Sequence, residues 1–457
     1  MRTPGLLACL LVTGALAAPN PVERPNVVII VADDLGYADC GVQGGRDIAT
    51  PHLDALAASG IRLTQAYVTA PVCSPARAAL LTGRYQQRDG VMDWIPPGKP
   101  GLDKAVPTLA DYLCRAGYRT ALIGKWHLGE AGAYHPLARG FETFFGFLGG
   151  GRSYWPDPPA AETARANAYT QLWRNREPVT ETEYLTTALG REAETYVRHH
   201  ARGTAPFFLL LSFSAVHDPM QAPAAYLERF AAIADPGRRA YAAMLASMDD
   251  EVGRVVRALS EEGVAKRTLI VFLSDNGGPI TRNAPNHSSN GGLRGGKGET
   301  WEGGIRVPLF MSWPGRLPAG TVRDEPVLQM DLSATALALA GATPDPAWPL
   351  DGRNLWPTLT EREALPPRAL FWHYGPQWAI REGEWKLTCA YVARRDAAPS
   401  LGLYRLSADP GERHDIAAAQ PERVRALTAR WEAWRRSLGR DYTADTIHPD
   451  YTGLDRP

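Results

Sequence analysis

The sequence predicts an α/β domain on a largely parallel sheet, followed by a smaller α+β domain. Three observations carry that expectation. Short apolar runs alternate with amphipathic helical stretches through residues 24–355, the pattern of strand–helix units stacked into one parallel sheet. The first run, residues 27–31, is continuous and β-branched, as expected of a strand covered on both faces. Beyond residue 355 the apolar period drops to two, which suits a small antiparallel sheet.

The elements follow in order. A helix is expected over residues 50–59, with Pro51 near its start, Leu53, Leu56 and Ala57 on one face, and Gly60 as its stop. Further strands are expected at 120–123, 207–213 and 269–273, and long helices near 188–199 and 240–259. Strands at 369–373, 378–380 and 385–390 are separated by turns at Gly375 and Gly383, and a helix over 421–438 would cover them. We find no internal repeat. The expected division is 1–18 as signal peptide, 24–355 as the α/β domain, and 356–457 as the carboxyl-terminal α+β domain.

The leader reading rests on Arg2, the apolar stretch 6–17 and the small-residue pattern Ala15-Leu16-Ala17. Leu6-Leu7-Ala8-Cys9 looks like a lipidation box but stands too near the start, with most of the apolar run after it. No later segment holds the roughly 18 uninterrupted apolar residues that would suggest a membrane span. The expectation is a periplasmic or secreted protein without a membrane span. Its 49 basic and 49 acidic side chains cancel, so nothing global favours nucleic acid or an anionic surface. Any anion selectivity must be local. Past the leader stand Cys40, Cys73, Cys114 and Cys389, too few for a disulfide framework in a chain of this size.

The polar residues fall where chemistry is expected. In open parallel sheets, ligands bind beyond the carboxyl ends of the strands. Strand 27–31 runs into Asp33 and Asp34, and strand 269–273 into Asp275, Asn276, Gly277 and Gly278. Strand 120–123 leads to Lys125, Trp126 and His127, and strand 207–213 to His217. A single acidic strand end would mean little, since Asp is common in turns; four converging ends make a candidate site. Asp33, Asp34, Asp275 and Asn276 offer only oxygen, which favours Ca²⁺ or Mg²⁺ over zinc. Three clustered carboxylates would also repel one another unless a cation joined them.

Cys73 opens the stretch Cys73-Ser74-Pro75-Ala76-Arg77. Ser74 suits an N-cap and Pro75 the first helical position. That would put Cys73 at the positive end of a helix, with Arg77 one turn on. A lone cysteine is ordinarily a core residue; the neighbouring Pro and Arg argue otherwise.

This stretch resembles the C-x-P-S/A-R motif of formylglycine-dependent sulfatases. Residues 117–129, from Gly117-Tyr118-Arg119 through Gly124-Lys125-Trp126-His127 to Gly129, resemble their second motif, and the likeness continues through Asp33-Asp34, Val216-His217, Asp275-Asn276-Gly277-Gly278 and Gly295-Gly296-Lys297-Gly298. It covers nearly the whole mature chain and is nearest the arylsulfatase A and N-acetylgalactosamine-6-sulfatase type. The resemblance implies an alkaline-phosphatase-like fold and hydrolysis of a sulfate ester on a sulfated small molecule or glycan. It implies a formylglycine-generating or sulfatase-maturing enzyme that oxidises Cys73 to formylglycine, whose hydrated aldehyde attacks sulfur and later expels sulfate. It puts a divalent cation, Ca²⁺ foremost and Mg²⁺ second, on Asp33, Asp34, Asp275, Asn276 and modified Cys73. It assigns Arg77 and His127 to the nucleophile, and Lys125, His217 and Lys297 to the sulfate or the leaving oxygen. This chain has Ala76 where the commonest form of the motif has Ser, a departure that bears on the oxidation of Cys73 rather than on later chemistry.

Lysine usage points the same way. Lys99, Lys104, Lys125, Lys266, Lys297 and Lys386 are the only six lysines among 49 basic residues, and two fall in the proposed site. The glycines flanking Lys297 would permit close backbone approach to a ligand. Among the other histidines, His52 reads as a helix-start residue, and His199 and His200 as a solvated helix end. His135, His287 and His373 are weaker candidates for a substrate pocket. Trp94, Tyr154, Trp155, Trp301 and Trp378 can each either stack on a sugar or pack in a core or domain interface. Asn286-His287-Ser288 is a glycosylation sequon. Two other functions fit the same residues: phosphate or phosphonate ester hydrolysis, and non-catalytic sulfo-carbohydrate binding should Cys73 stay unmodified.

Overall fold

The computed structural model describes residues 24–130, 132–156, 170–280, 286–361, 363–391 and 399–439. The expected leader lies outside them. Five parallel strands form the centre of a ten-stranded sheet: β1 (Asn26–Ala32), β2 (Arg119–Lys125), β3 (Thr143–Phe147), β4 (Phe207–Ser212) and β5 (Thr268–Ser274). Their spatial order is β5-β1-β4-β2-β3. Antiparallel strands Leu309–Ser312 and Leu172–Arg174 continue the sheet beyond β5 and β3. Among the described residues, no helix is long and apolar enough to cross a membrane.

The continuous apolar run of β1 is explained by its two faces. Val28, Ile30 and Ala32 join one core with residues of helices Leu185–Ala201 and Pro236–Glu261. Val27, Ile29 and Val31 join a second core with Leu80, Leu81 and Leu337. Because side chains alternate across a strand, both cores need β1 apolar at every position.

The expected helix at 50–59 is Pro51–Ala58, with Leu53, Leu56 and Ala57 buried. Its first-turn amides at His52 and Leu53 donate to the Asp249 carboxylate at 3.1 and 2.7 Å, so the cap comes from a distant helix. The expected N-cap at Ser74 and first helical position at Pro75 are corrected. Helix α1 (Cys73–Thr82) starts at Cys73 itself, with Val72 as an extended N-cap that makes no side-chain bond. The Ser74 hydroxyl accepts instead from the Ile95 amide at 3.0 Å. Cys73 is therefore the first helical residue, closer to the positive helix end than the sequence suggested.

The carboxyl-terminal sheet has four antiparallel strands, β6 (Ala369–Tyr374), β7 (Gln377–Glu382), β8 (Trp385–Ala390) and β9 (Ser400–Arg405). The last was not expected. Helix α2 (Pro421–Ser437) lies across the sheet, Trp434 stacked on Phe371 at 4.9 Å and Trp431 on Trp378 at 4.5 Å. Ala76 of α1 is buried in the same apolar cluster as Leu370, Trp372 and Trp431. A methyl group there packs between the two parts of the chain, where a hydroxyl would need a partner.

Lys386 is fully buried between two carboxylates, with Nζ 3.0 Å from Glu302 and 2.8 Å from Glu412. Burial drives the Glu412 carboxyl up to about 7, with Lys386 pulling it back and Glu302 adding to the rise. Cys40, Cys114 and Cys389 are all unpaired thiols.

Candidate active site

Parallel order decides the site. β5, β1, β4 and β2 are consecutive neighbours running the same way, so their carboxyl ends open on one rim. Asp33 and Asp34 follow β1, Asp275 and Asn276 follow β5, Lys125 ends β2 with His127 two residues on, and His217 follows β4.

The three carboxylates each meet a basic partner. Lys125 Nζ donates to Asp33 at 2.5 Å, and Lys297 Nζ lies 2.7 and 2.8 Å from the two oxygens of Asp34. Arg77 approaches Asp275 through Nε at 2.9 Å and a terminal nitrogen at 2.8 Å. This corrects the repulsion argument for a cation, because three acidic and three basic groups already balance. The stronger indication is a pair of orphaned oxygens. Asp33 Oδ1 and Asn276 Oδ1 are buried without a hydrogen-bond partner among the described residues. Two buried acceptors in an all-oxygen donor set fit a hard cation.

Charge and burial shape the acidity. Burial works to raise Asp33, but Lys125, His217, Arg77 and Lys297 outweigh it and hold it far below the carboxylate range. Burial and then Asp33 push Asp275 up to about 6, against Arg77 and Lys125. Burial and the charges of Lys125 and Arg77 push His127 well down, favouring its neutral form. Burial opposes protonation of His217, yet Asp33 and Asp34 raise it. Its Nδ1 lies 3.0 Å from an Asp218 carboxylate oxygen, and its Nε2 3.8 Å from Asp34. The buried Cys73 thiol is raised by desolvation, with Lys125 and Lys297 acting against the rise. Asp34 and His127 both adopt left-handed backbone, φ 62° and 58°, a conformation that Asp and His tolerate better than most residues.

Several supports were not legible in the sequence. Ser212, the one polar residue of β4, accepts from Arg77 at 2.6 Å and donates to the Lys125 carbonyl at 2.8 Å. A polar residue ending an otherwise apolar strand was the available signal. The Asn286 amide donates to the carbonyls of Asp34 and Val216 at 3.0 and 3.3 Å. Asn286 is buried, so the sequon is a structural strut rather than an accessible acceptor. The Tyr154 hydroxyl donates to the carbonyls of Ser214 and His217 at 2.6 and 2.9 Å.

One glycine beside Lys297 has a structural reason. A Cβ on Gly296 would sit 2.4 Å from the Gly278 carbonyl oxygen, and the Lys297 amide donates to that same carbonyl at 3.3 Å. The loop of Lys297 thus lies close against the turn after Asp275 and Asn276.

The weaker candidates separate clearly. His135 is buried edge-on against Phe144 and pushed down to about 4 by burial, and His373 packs edge-on against Trp431. His287 lies 3.2 Å from Asp235, and His52 3.8 Å from Asp250. His200 packs on Tyr196 at the end of its helix, beside exposed His199. Trp301 is buried, donates to the Tyr391 carbonyl, and carries Arg294 on its face. Trp378 belongs to the Trp431 stack, and exposed Trp155 leans on Tyr184. Two of these aromatics touch proposed site residues: Tyr154 bonds the His217 carbonyl through its hydroxyl, and the Trp94 ring centroid lies 6.4 Å from that of His127.

The sulfatase family model matches residues 25–342, and the model for the carboxyl-terminal part of N-sulphoglucosamine sulphohydrolase matches residues 297–433. Human arylsulfatase A is 34% identical over 90% of this chain and 88% of its own length. Mouse N-acetylgalactosamine-6-sulfatase is 35% identical over 83% of this chain and 75% of its own. The crystal structure of Ps i-CgsB in complex with k-i-k-neocarrahexaose superposes with a TM-score of 0.84 at 37% identity, covering 90% of this chain and 93% of that one.

Proposed function

The chain belongs to the sulfatase family, of the arylsulfatase A type, and on that premise we propose that it cleaves the sulfate ester of a carbohydrate with formylglycine made from Cys73. Sulfuric ester hydrolysis follows from the family; the nucleophile, the cation and the substrate are our reading. A similar structure with a bound neocarrahexaose supports the carbohydrate. The observation that carries the reading is the convergence of four neighbouring strand ends on the first turn of α1.

Asp33, Asp34, Asp275, Asn276 and modified Cys73 would hold a divalent cation, Ca²⁺ before Mg²⁺ because calcium accepts many protein oxygens whereas magnesium usually keeps several waters. Formylglycine supplies a hydrated aldehyde as nucleophile, and the cation supplies positive charge for it and for a sulfate oxygen. Lys125 and Lys297 bind sulfate oxygens, as compact point charges suited to a rounded anion. His217, raised by Asp33 and Asp34, gives a proton to the leaving alcohol oxygen. His127, held neutral, accepts a proton from the attacking hydroxyl. Arg77 keeps Asp275 and the Lys125 backbone in register.

Oxidation of Cys73 requires a formylglycine-generating or sulfatase-maturing enzyme. The amino-terminal leader sends the protein to the periplasm or the medium. Mass spectrometry of the Cys73 peptide, alongside assays on p-nitrophenyl sulfate and phosphate, tests the reading. Formylglycine and a sulfate preference are expected; unaltered cysteine in active protein, or a clear phosphate preference, refutes it.

A further inference from the structure

Trp94 is held in place from three sides. The amide of Ile95, the next residue, donates to the Ser74 hydroxyl at 3.0 Å, which ties this loop to the residue beside Cys73. The Trp94 ring stands 6.4 Å from His127, the planes inclined at 48°. The Trp94 amide donates to Asp93 Oδ1 at 2.7 Å, and that oxygen also accepts from the Tyr374 hydroxyl of the carboxyl-terminal sheet at 3.2 Å. Trp126, Trp301, Trp313 and Trp372 are fully buried. Trp94, anchored as firmly, stays partly exposed.

We propose that Trp94 forms the wall against which the sugar ring of the substrate lies, and so selects the alcohol half of the ester. This rests on the carbohydrate sulfatase reading given above. His127 is buried and the indole beside it is partly exposed, so Trp94 stands where the alcohol half of an ester held by Lys125 and Lys297 would leave the buried site. A pyranose offers one face of C–H groups to an aromatic ring and hydroxyls around its edge. Asp93, next to Trp94 in the chain and partly exposed, is a polar group of the kind that binds such hydroxyls. An aryl alcohol would stack on the indole but offer that carboxylate nothing, which favours the sugar.

The test compares Trp94→Ala and Trp94→Phe with the unaltered, matured enzyme on a sulfated galactosyl disaccharide and on p-nitrophenyl sulfate. Inhibition by inorganic sulfate is measured in parallel. The expected result is turnover of the disaccharide by the unaltered enzyme. Trp94→Ala should raise its KM about tenfold with the sulfate Ki nearly unchanged, and Trp94→Phe should recover most of the loss. Turnover of the disaccharide with an unaltered KM in Trp94→Ala would overturn the role of Trp94 alone. A parallel rise in the sulfate Ki would show general damage to the site and overturn it as well. Hydrolysis of p-nitrophenyl sulfate but not of the disaccharide would remove the carbohydrate reading and this proposal together, leaving the sulfatase activity standing.

Discussion

The side-chain amide of Gln377 on β7 donates to the Gly298 carbonyl at 2.8 Å, so the carboxyl-terminal sheet grips the backbone directly after Lys297. With Tyr374 bonded to Asp93 and Gln87 to the His373 carbonyl, the first hairpin of that sheet braces two loops of the site.

Replacing Gln377 by Ala leaves the buried Gly298 carbonyl short of a partner, at a cost of about 1–3 kcal/mol. We expect kcat/KM to fall roughly tenfold as Lys297 loses its register, with a modest drop in urea midpoint. Lower stability with unchanged kinetics would show that the contact only joins the two parts.

Lys125 and Asp33 form a fully buried pair. Lys125→Met should cost about 3–5 kcal/mol by stranding the carboxylate, with Arg77 at 3.9 Å as the nearest remaining positive charge. Millimolar Ca²⁺ should return part of that loss in a thermal melt. A melt indifferent to Ca²⁺ would count against Asp33 as a cation ligand. Lys297→Arg, which substitutes a planar fork for a point charge, should lower kcat by about a hundredfold.

Chelation should lower the melting temperature as well as abolish activity. A ligand at a hundred times its Kd stabilises the fold by about 2.7 kcal/mol. Asn276→Leu removes one of the two orphaned oxygens, so calorimetry should find weaker Ca²⁺ binding. Identical Ca²⁺ affinity in that variant would exclude Asn276 from the donor set.

Glu412 gives a pH dependence outside the site. Its carboxyl rises from 4.5 to about 7 on folding, so the folded state holds that proton more tightly. The stabilisation is therefore complete below 4.5 and is lost as pH rises through about 7. Glu412→Gln should flatten the fall in melting temperature across that window. An unchanged slope would assign it to other groups.

Much of the site was legible because parallel strands announce themselves locally. A β-branched run followed by Asp33 and Asp34 needs no distant information to be read as a strand with an acidic end. The short strands Ile61–Leu63 and Leu309–Ser312 were not legible, since three or four residues hold too little periodicity. Ser212 reads as the end of an apolar run, and only the fold brings Arg77 of α1 to it. Lys386 gave no local sign that it would be buried between two glutamates.

The elements and the chemistry at their ends are local properties of the chain: oxygen donors after β1 and β5, a lysine at β2, a histidine after β4, and a cysteine before a helix. These follow from side-chain periodicity and from nearest-neighbour preferences, which act over a few residues. Folding places β5, β1, β4 and β2 side by side, sets Val72 rather than Ser74 before the helix of Cys73, and brings Gln377 to the loop of Lys297. Those outcomes depend on contacts between residues tens to hundreds apart in the chain, where packing and hydrogen-bond satisfaction select the partners.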